Sequence, residues 1–164
     1  MKLQSLPCYC ATLRQAARAV TALYEEALAD SGVRVTQYTI LHVLKLAPSP
    51  TTTEVADALG MDQTTATRML ALVKKSGLAL DTPGADRRER HWALTAAGET
   101  MFRKLKPLWE AAQAEFEKRM GRHDAAALKA ASYLTASKLG SNPPPREWTR
   151  REESRHAKRK RQEA

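Results

Sequence analysis

The chain of 164 residues is poor in the residues that frame small secreted scaffolds, phosphate loops and metal centres: it has two cysteines and seven glycines, and four histidines are scattered at positions 42, 91, 123 and 156. Two cysteines, Cys8 and Cys10, cannot frame a disulfide-rich domain. No run of about 18 apolar residues occurs, which excludes a transmembrane helix. The opening Met1 to Pro7 lacks the long apolar stretch of a secretory signal. There is no metal cluster, no glycine-rich phosphate cradle and no Ser/His/Asp arrangement in a recognisable context. The expectation is a soluble cytoplasmic protein that is not an enzyme and holds no cofactor or metal.

What is present is enough apolar material for one core and a marked excess of positive charge. Hydrophobic residues make up 43% of the chain and charged residues 27%, with 27 Lys and Arg against 18 Asp and Glu, a net charge of +9. Such a surplus favours polyanionic partners, nucleic acid first among them. Four of the nine surplus charges lie in the last segment, Ser141 to Ala164, where eight basic residues meet four acidic ones. Pro143-Pro144-Pro145 stops the preceding helix, and only Trp148 is large and apolar beyond it. This segment reads as a disordered basic tail, either a solvated terminus or an arm that helps grip phosphates.

Periodicity predicts six helices and one hairpin. Leu13, Ala17, Val20, Tyr24 and Leu28 recur at helical steps within Leu6 to Leu28. Thr36 is expected to cap a helix over Gln37 to Leu46, with Pro48 and Pro50 past its end. A two-turn helix over Thr53 to Leu59 stops at Gly60. Asp62 opens the next, Gln63 to Lys75, whose apolar side is Ala66, Met69, Leu70 and Val73. Two short extended runs, Leu78 to Thr82 and His91 to Leu94, flank a turn-forming Pro83-Gly84-Ala85-Asp86 and suggest a β-hairpin. Thr95 caps a long helix, Ala96 to about Met120, with the stripe Met101, Leu105, Leu108, Trp109, Ala112, Phe116 and Met120 and a Pro107 that could kink it. Asp124 is expected to cap a last helix, Ala125 to Leu139.

Two short helices joined by Gly60-Met61 form a helix-turn-helix pattern. In that motif the second helix enters the major groove. Opposite its apolar side it offers Gln63, Thr64, Thr65, Thr67 and Arg68. Gln can bond adenine, Thr presents a hydroxyl and a methyl, and Arg can fork onto guanine or phosphate. The hairpin tip adds Arg87, Arg88 and Arg90, a basic loop suited to a neighbouring minor groove. The plain alternatives are an ordinary amphipathic helix and a solvated charged turn.

The run Met61-Asp62-Gln63-Thr64-Thr65-Ala66-Thr67-Arg68-Met69-Leu70, followed by Lys75-Ser76-Gly77-Leu78, Asp86-Arg87-Arg88 and Leu94-Thr95-Ala96-Ala97-Gly98, resembles the MarR family of winged-helix transcriptional regulators. The resemblance covers about Cys8 to Leu139. It implies a mainly α fold with a small β-hairpin wing, in which a winged helix-turn-helix (35–95) joins a helical dimerisation region (6–34 and 96–140) within a single domain of residues 1–140. The basic tail, 141–164, lies outside the family pattern. By resemblance, Thr67 and Arg68 meet DNA, Arg88 enters the minor groove, and Asp86 holds the Arg88 guanidinium. The family is dimeric, its first and last helices intertwined. The implied function is a dimeric repressor of a palindromic operator; a non-specific architectural DNA binder is the alternative.

Family members respond to small anionic aromatic compounds or to oxidants. Tyr24, Tyr38, His42, Met101 and Trp109 would line a ligand site between the dimerisation helices and the winged domain; the bland alternative is that they are core. The spacing from Cys10 through Arg18 and Tyr24 to Gln37-Tyr38 is similar to the family's thiol-based hydroperoxide sensors, with Cys10 at the reactive position. Two tyrosines of those sensors are replaced here by Arg14 and Val35. Arg14, one turn after Cys10, could favour a thiolate by charge, as could the helix N-terminus. Both cysteines could equally be structural, and Cys-x-Cys alone supplies too few ligands for a closed metal or arsenical site unless the partner chain contributes. On one helix Cys8 and Cys10 would point about 200° apart, which disfavours a disulfide between them. A sulfenic acid, a mixed disulfide or a bridge to the partner chain would remain.

Overall fold

The computed structural model describes residues 8–86 and 89–140. Arg87, Arg88, the tail from Ser141 and the expected helix start at Leu6 therefore lie outside the described residues. The elements run α1 (Tyr9–Leu28), a short 3-10 turn (Ala29–Ser31), α2 (Val35–Leu46), α3 (Thr52–Leu59), α4 (Gln63–Lys75), β1 (Ala79–Pro83), β2 (Arg90–Leu94), α5 (Ala96–Met120) and α6 (Arg122–Leu139). The fold is mainly α with a two-stranded antiparallel hairpin, as expected.

Two of the expected caps hold and two do not. Asp62 accepts from the Thr65 N–H and Thr95 from the Gly98 N–H, each tying up an orphan donor at a helix start. Thr36, in contrast, lies inside α2. The helix begins earlier because the Gln37 side chain reaches back to accept from the Arg34 N–H at 2.9 Å, closing the first turn from within. Asp124 likewise sits in the first turn of α6, whose flanking residue is Gly121. Helix α3 starts from Thr51, whose hydroxyl accepts from the Glu54 N–H while the Glu54 carboxylate accepts from the Thr51 N–H. Helix α5 runs through Pro107 as a single element.

The core gathers on α2. Tyr38, Ile40, Leu41, Val43 and Leu44 are buried there against Leu28 from α1, Val55 from α3, Leu70 and Val73 from α4, and Phe102 and Leu105 from α5. Each such side chain contributes about 1.5–3 kcal/mol when fully withdrawn from water. The winged unit is closed by backbone contacts rather than by side chains alone. The Trp92 N–H donates to the Pro50 carbonyl, and the Thr95 N–H to the Leu78 carbonyl. Gly98 lets α5 lie against that turn, because a Cβ there would fall 1.9 Å from the Leu78 oxygen.

Helix α6 is different in kind. Of its 18 residues only Ala125 is buried. Along α1 the expected apolar stripe is covered only towards its end: Leu28 is buried, whereas Leu13 is exposed. Tyr9, Leu108, Met120, Tyr133, Leu134 and Leu139 add to the apolar surface left open by α1, α5 and α6.

Candidate nucleic-acid interface

Helix α4 is fixed by one side and open on the other. Ala66, Leu70 and Val73 are fully buried, which aims Thr64 and Arg68 outwards. Gln63, Thr64, Thr67 and Arg68 are all exposed and Thr65 is half-buried. Their hydrogen bonds divide them. The Thr65 hydroxyl donates to the Asp62 carboxylate at 2.7 Å and the Thr67 hydroxyl to the Gln63 carbonyl at 2.7 Å. The Gln63 amide donates to the Thr53 hydroxyl at 3.3 Å, which turns it towards the start of α3. The Thr65 bonds hold the Asp62 carboxyl below the usual carboxylate range, so the cap stays ionised.

Between the start of α3, the flank of α4 and the hairpin runs a groove of about 370 Å³. Thr51, Thr53, Gln63, Thr67, Lys74 and Trp92 line it, together with Asp81, Glu89 and Arg90. On its back wall the Trp92 indole N–H donates to the Thr52 hydroxyl at 2.9 Å, and next to it His91 Nδ1 lies 2.9 Å from the Ser49 carbonyl.

The hairpin register corrects one expectation. Arg90 is not at the tip. It opens β2 opposite Pro83, because the Gly84 N–H donates to the Glu89 carbonyl and closes the loop before it. Its Nη1 lies 3.5 Å from Asp81 Oδ2, while Lys74 Nζ lies 2.5 Å from Asp81 Oδ1. Lys74, first by hydrogen bond and then by charge, with Arg90 adding its own, holds the Asp81 carboxyl below its ordinary range. Asp86 is exposed at the turn, and its carbonyl accepts from the Glu89 N–H.

The effector candidates fall into two groups. Tyr38 stacks on Phe102 with centroids 5.6 Å apart, and His42 meets Trp109 edge-on at 5.4 Å and Phe102 at 5.6 Å. Tyr38 and Trp109 are 6.0 Å apart, so these four rings form one cluster between α2 and α5. Met101 packs against the same core. The Tyr38 hydroxyl is buried with no hydrogen-bond partner, and burial, then the Glu110 charge, push its pKa up to about 12. Among the described residues the ring contacts do not include Tyr24, which is half-buried on α1 with its pKa raised by burial and by Glu117.

Cys8, Cys10 and Arg14 are all exposed. Cys8 precedes α1 with extended backbone, φ −137° and ψ 112°, and only Cys10 is helical. The angle expected for two positions on one helix therefore does not describe this pair.

No protein-family model and no curated protein matches the chain. Solved structures of transcriptional regulators do. The M. tuberculosis regulator MosR in complex with DNA is 37% identical, covers 77% of this chain and 97% of its own, and superposes with a TM-score of 0.67. The chain belongs to the MarR family. A MarR-family regulator from Rhodococcus sp. RHA1 shares the fold at 20% identity, with 80% and 95% of the two chains covered and a TM-score of 0.63. BpsR from Bordetella bronchiseptica, whose DNA binding is regulated by 6-hydroxynicotinic acid, does so at 18% identity, with 83% and 98% covered and a TM-score of 0.71.

As a MarR-family member the protein is a DNA-binding transcriptional regulator. Among the described residues no helix is long and apolar enough to cross a membrane. Three residues of the ring cluster and the groove were not marked by the sequence. Phe102 was hidden by Met101 beside it, although 102, 105, 109, 112 and 116 form a cleaner helical stripe. Lys74 and Asp81 carried no local signal, since their meeting depends on how the hairpin folds against α4.

Proposed function

We propose that the protein is a homodimeric repressor that binds an inverted-repeat operator through α4 and the hairpin and leaves it on a chemical signal. The observation that carries the reading is the open side of α4. Thr64 and Arg68 project from a helix whose opposite side is locked in the core, so base contacts would meet little reorganisation. Arg68 would fork onto a guanine or a phosphate, and Thr64 would offer a hydroxyl and a methyl to a base edge. The hairpin would meet the adjacent minor groove.

Dimerisation is supported by α6 and α1. An 18-residue helix with one buried side chain has little tertiary support, and most helical stability in proteins comes from packing an apolar face. Tyr133, Leu134 and Leu139 with Tyr9 and Leu13 supply the face that a second copy would cover.

For the signal, the unpartnered Tyr38 hydroxyl within an aromatic cluster favours a small aromatic molecule with a polar group. The regulation of BpsR by 6-hydroxynicotinic acid is in keeping with this. An oxidant is the second reading, favoured by the exposure of Cys8 and Cys10.

Selection of bound sites from random duplex DNA tests the core of the proposal. An inverted repeat with half-sites about one helical turn apart is expected, bound by a species that sediments as a dimer at sub-micromolar concentration. Recovery of DNA without a consensus would instead mark a non-specific architectural binder.

A further inference from the structure

The α4–hairpin groove holds one carboxylate between two cations from different elements. Asp81 lies on β1, in register with the buried Trp92. Its side chain is only 10% exposed and bridges Lys74 in the last turn of α4 and Arg90 at the start of β2, whose side chains are 54% and 50% exposed. Through Asp81 these two ion pairs tie a charged group of α4 to both strands of the hairpin.

We propose that Asp81 is a positioning residue that sets discrimination between operator and random DNA, by bracing the hairpin against α4 and by engaging two cations that would otherwise serve phosphates of any sequence. The inference rests on the placement of α4 and the hairpin against DNA proposed above. Specific binding requires the outward side of α4 and the hairpin to meet the duplex together, at a fixed angle to one another. A brace formed on folding removes that ordering cost from the binding step. Non-specific binding depends on counterion release and needs no fixed angle between the two elements. An anion beside Lys74 and Arg90 lowers that sequence-independent term. Both effects act in the same direction, towards a larger ratio of operator to random affinity.

The test uses the full chain, the duplex recovered by site selection, and a shuffled duplex of the same length, titrated over a series of salt concentrations. In Asp81→Asn the operator affinity is expected to fall about tenfold. Affinity for the shuffled duplex is expected to hold or rise, with a steeper salt dependence. Asp81→Glu restores the carboxylate and should recover most of the ratio. Lys74→Met removes the α4 end of the brace and should also lower the ratio. Affinities are compared at a temperature where thermal melts show every variant folded, because the Asp81 side chain is nearly buried and altering it also touches stability. An unchanged ratio in Asp81→Asn overturns the inference, as does an equal fall on both duplexes or a failure of Asp81→Glu to recover the ratio. Arg68→Ala in the same assay separates the two levels. If it weakens operator binding while Asp81→Asn keeps the wild-type ratio, the brace alone is wrong. If it leaves operator binding intact, the placement of α4 is wrong.

Discussion

Arg68 and Thr64 lie four residues apart on the open side of α4, one turn of helix, so they share one edge of its exposed surface. Replacing Arg68 by Ala leaves the buried side of the helix untouched and removes five donors from the edge proposed to read bases. Operator binding should weaken by about 1–3 kcal/mol, with relaxed base preference at one position, measured by titration on the selected site and its single-base variants. Tyr38 is an opposite case, a residue whose polar atom works against the fold. A buried hydroxyl without a partner costs about 1–3 kcal/mol. Tyr38→Phe should therefore raise stability in denaturant unfolding by about 1 kcal/mol while abolishing any response that needs the hydroxyl. Alkali should show the same group. Its folded pKa of about 12 lies above the unfolded value. The contribution is thus complete below about pH 10 and is lost as the pH rises through the folded value. Tyr38→Phe should lack that part of the alkaline loss and keep the acid limb of wild type.

At the scale of elements, Thr95 joins the winged unit to the long helix. Its hydroxyl accepts from the Gly98 N–H at 3.0 Å and donates to the Gly77 carbonyl at 2.7 Å, so one side chain caps α5 and ties it to the turn after α4. Thr95→Ala should cost about 2 kcal/mol, the upper end for a lost cap, because both bonds go together; chemical denaturation measures it. This cap was legible in the sequence, as was Asp62, because each side chain bonds an N–H only three residues on. The starts of α2 and α6 were not. At α2 the bond runs backwards from Gln37 to Arg34, and Thr36 imitated a cap without serving as one. The helix-turn-helix was readable because Gly60, with φ +61°, ends α3 where only two residues separate it from Asp62. The hairpin was readable as an element but not in register, so Arg90 was expected at the tip. Only the folded register puts it opposite Pro83 and within reach of Asp81. Pairings across elements, such as Lys74 with Asp81 or Tyr38 with Phe102, have no fixed sequence spacing and had to await the fold.

At the scale of the whole molecule, the two candidate sensors sit in different places and would reach α4 by different routes. The ring cluster lies between α2 and α5, and α2 packs directly against α4. A ligand that displaced Tyr38 or Trp109 would shift the layer on which Leu70 and Val73 rest. The thiols lie at the start of α1, on surface that a second copy would approach if α1 and α6 form the dimer. Oxidation there would change how the two recognition helices are spaced, without touching either winged unit. The routes predict different outcomes for one variant. If the thiols carry the signal, an organic hydroperoxide releases wild type from its operator, Cys10→Ser stays bound, and Cys8→Ser still responds. The oxidised wild type then carries a sulfenic acid, a mixed disulfide or a bridge between chains, resolved by mass spectrometry. If the ring cluster carries it, an aromatic acid releases wild type and Cys10→Ser alike, Tyr38→Phe loses the response, and peroxide leaves wild type bound at doses that spare its methionines. The unpartnered Tyr38 hydroxyl leads us to expect the second pattern. Titrating the wild type and the three variants with both reagents on one operator decides the matter, and loss of the peroxide response in Cys10→Ser would overturn that expectation.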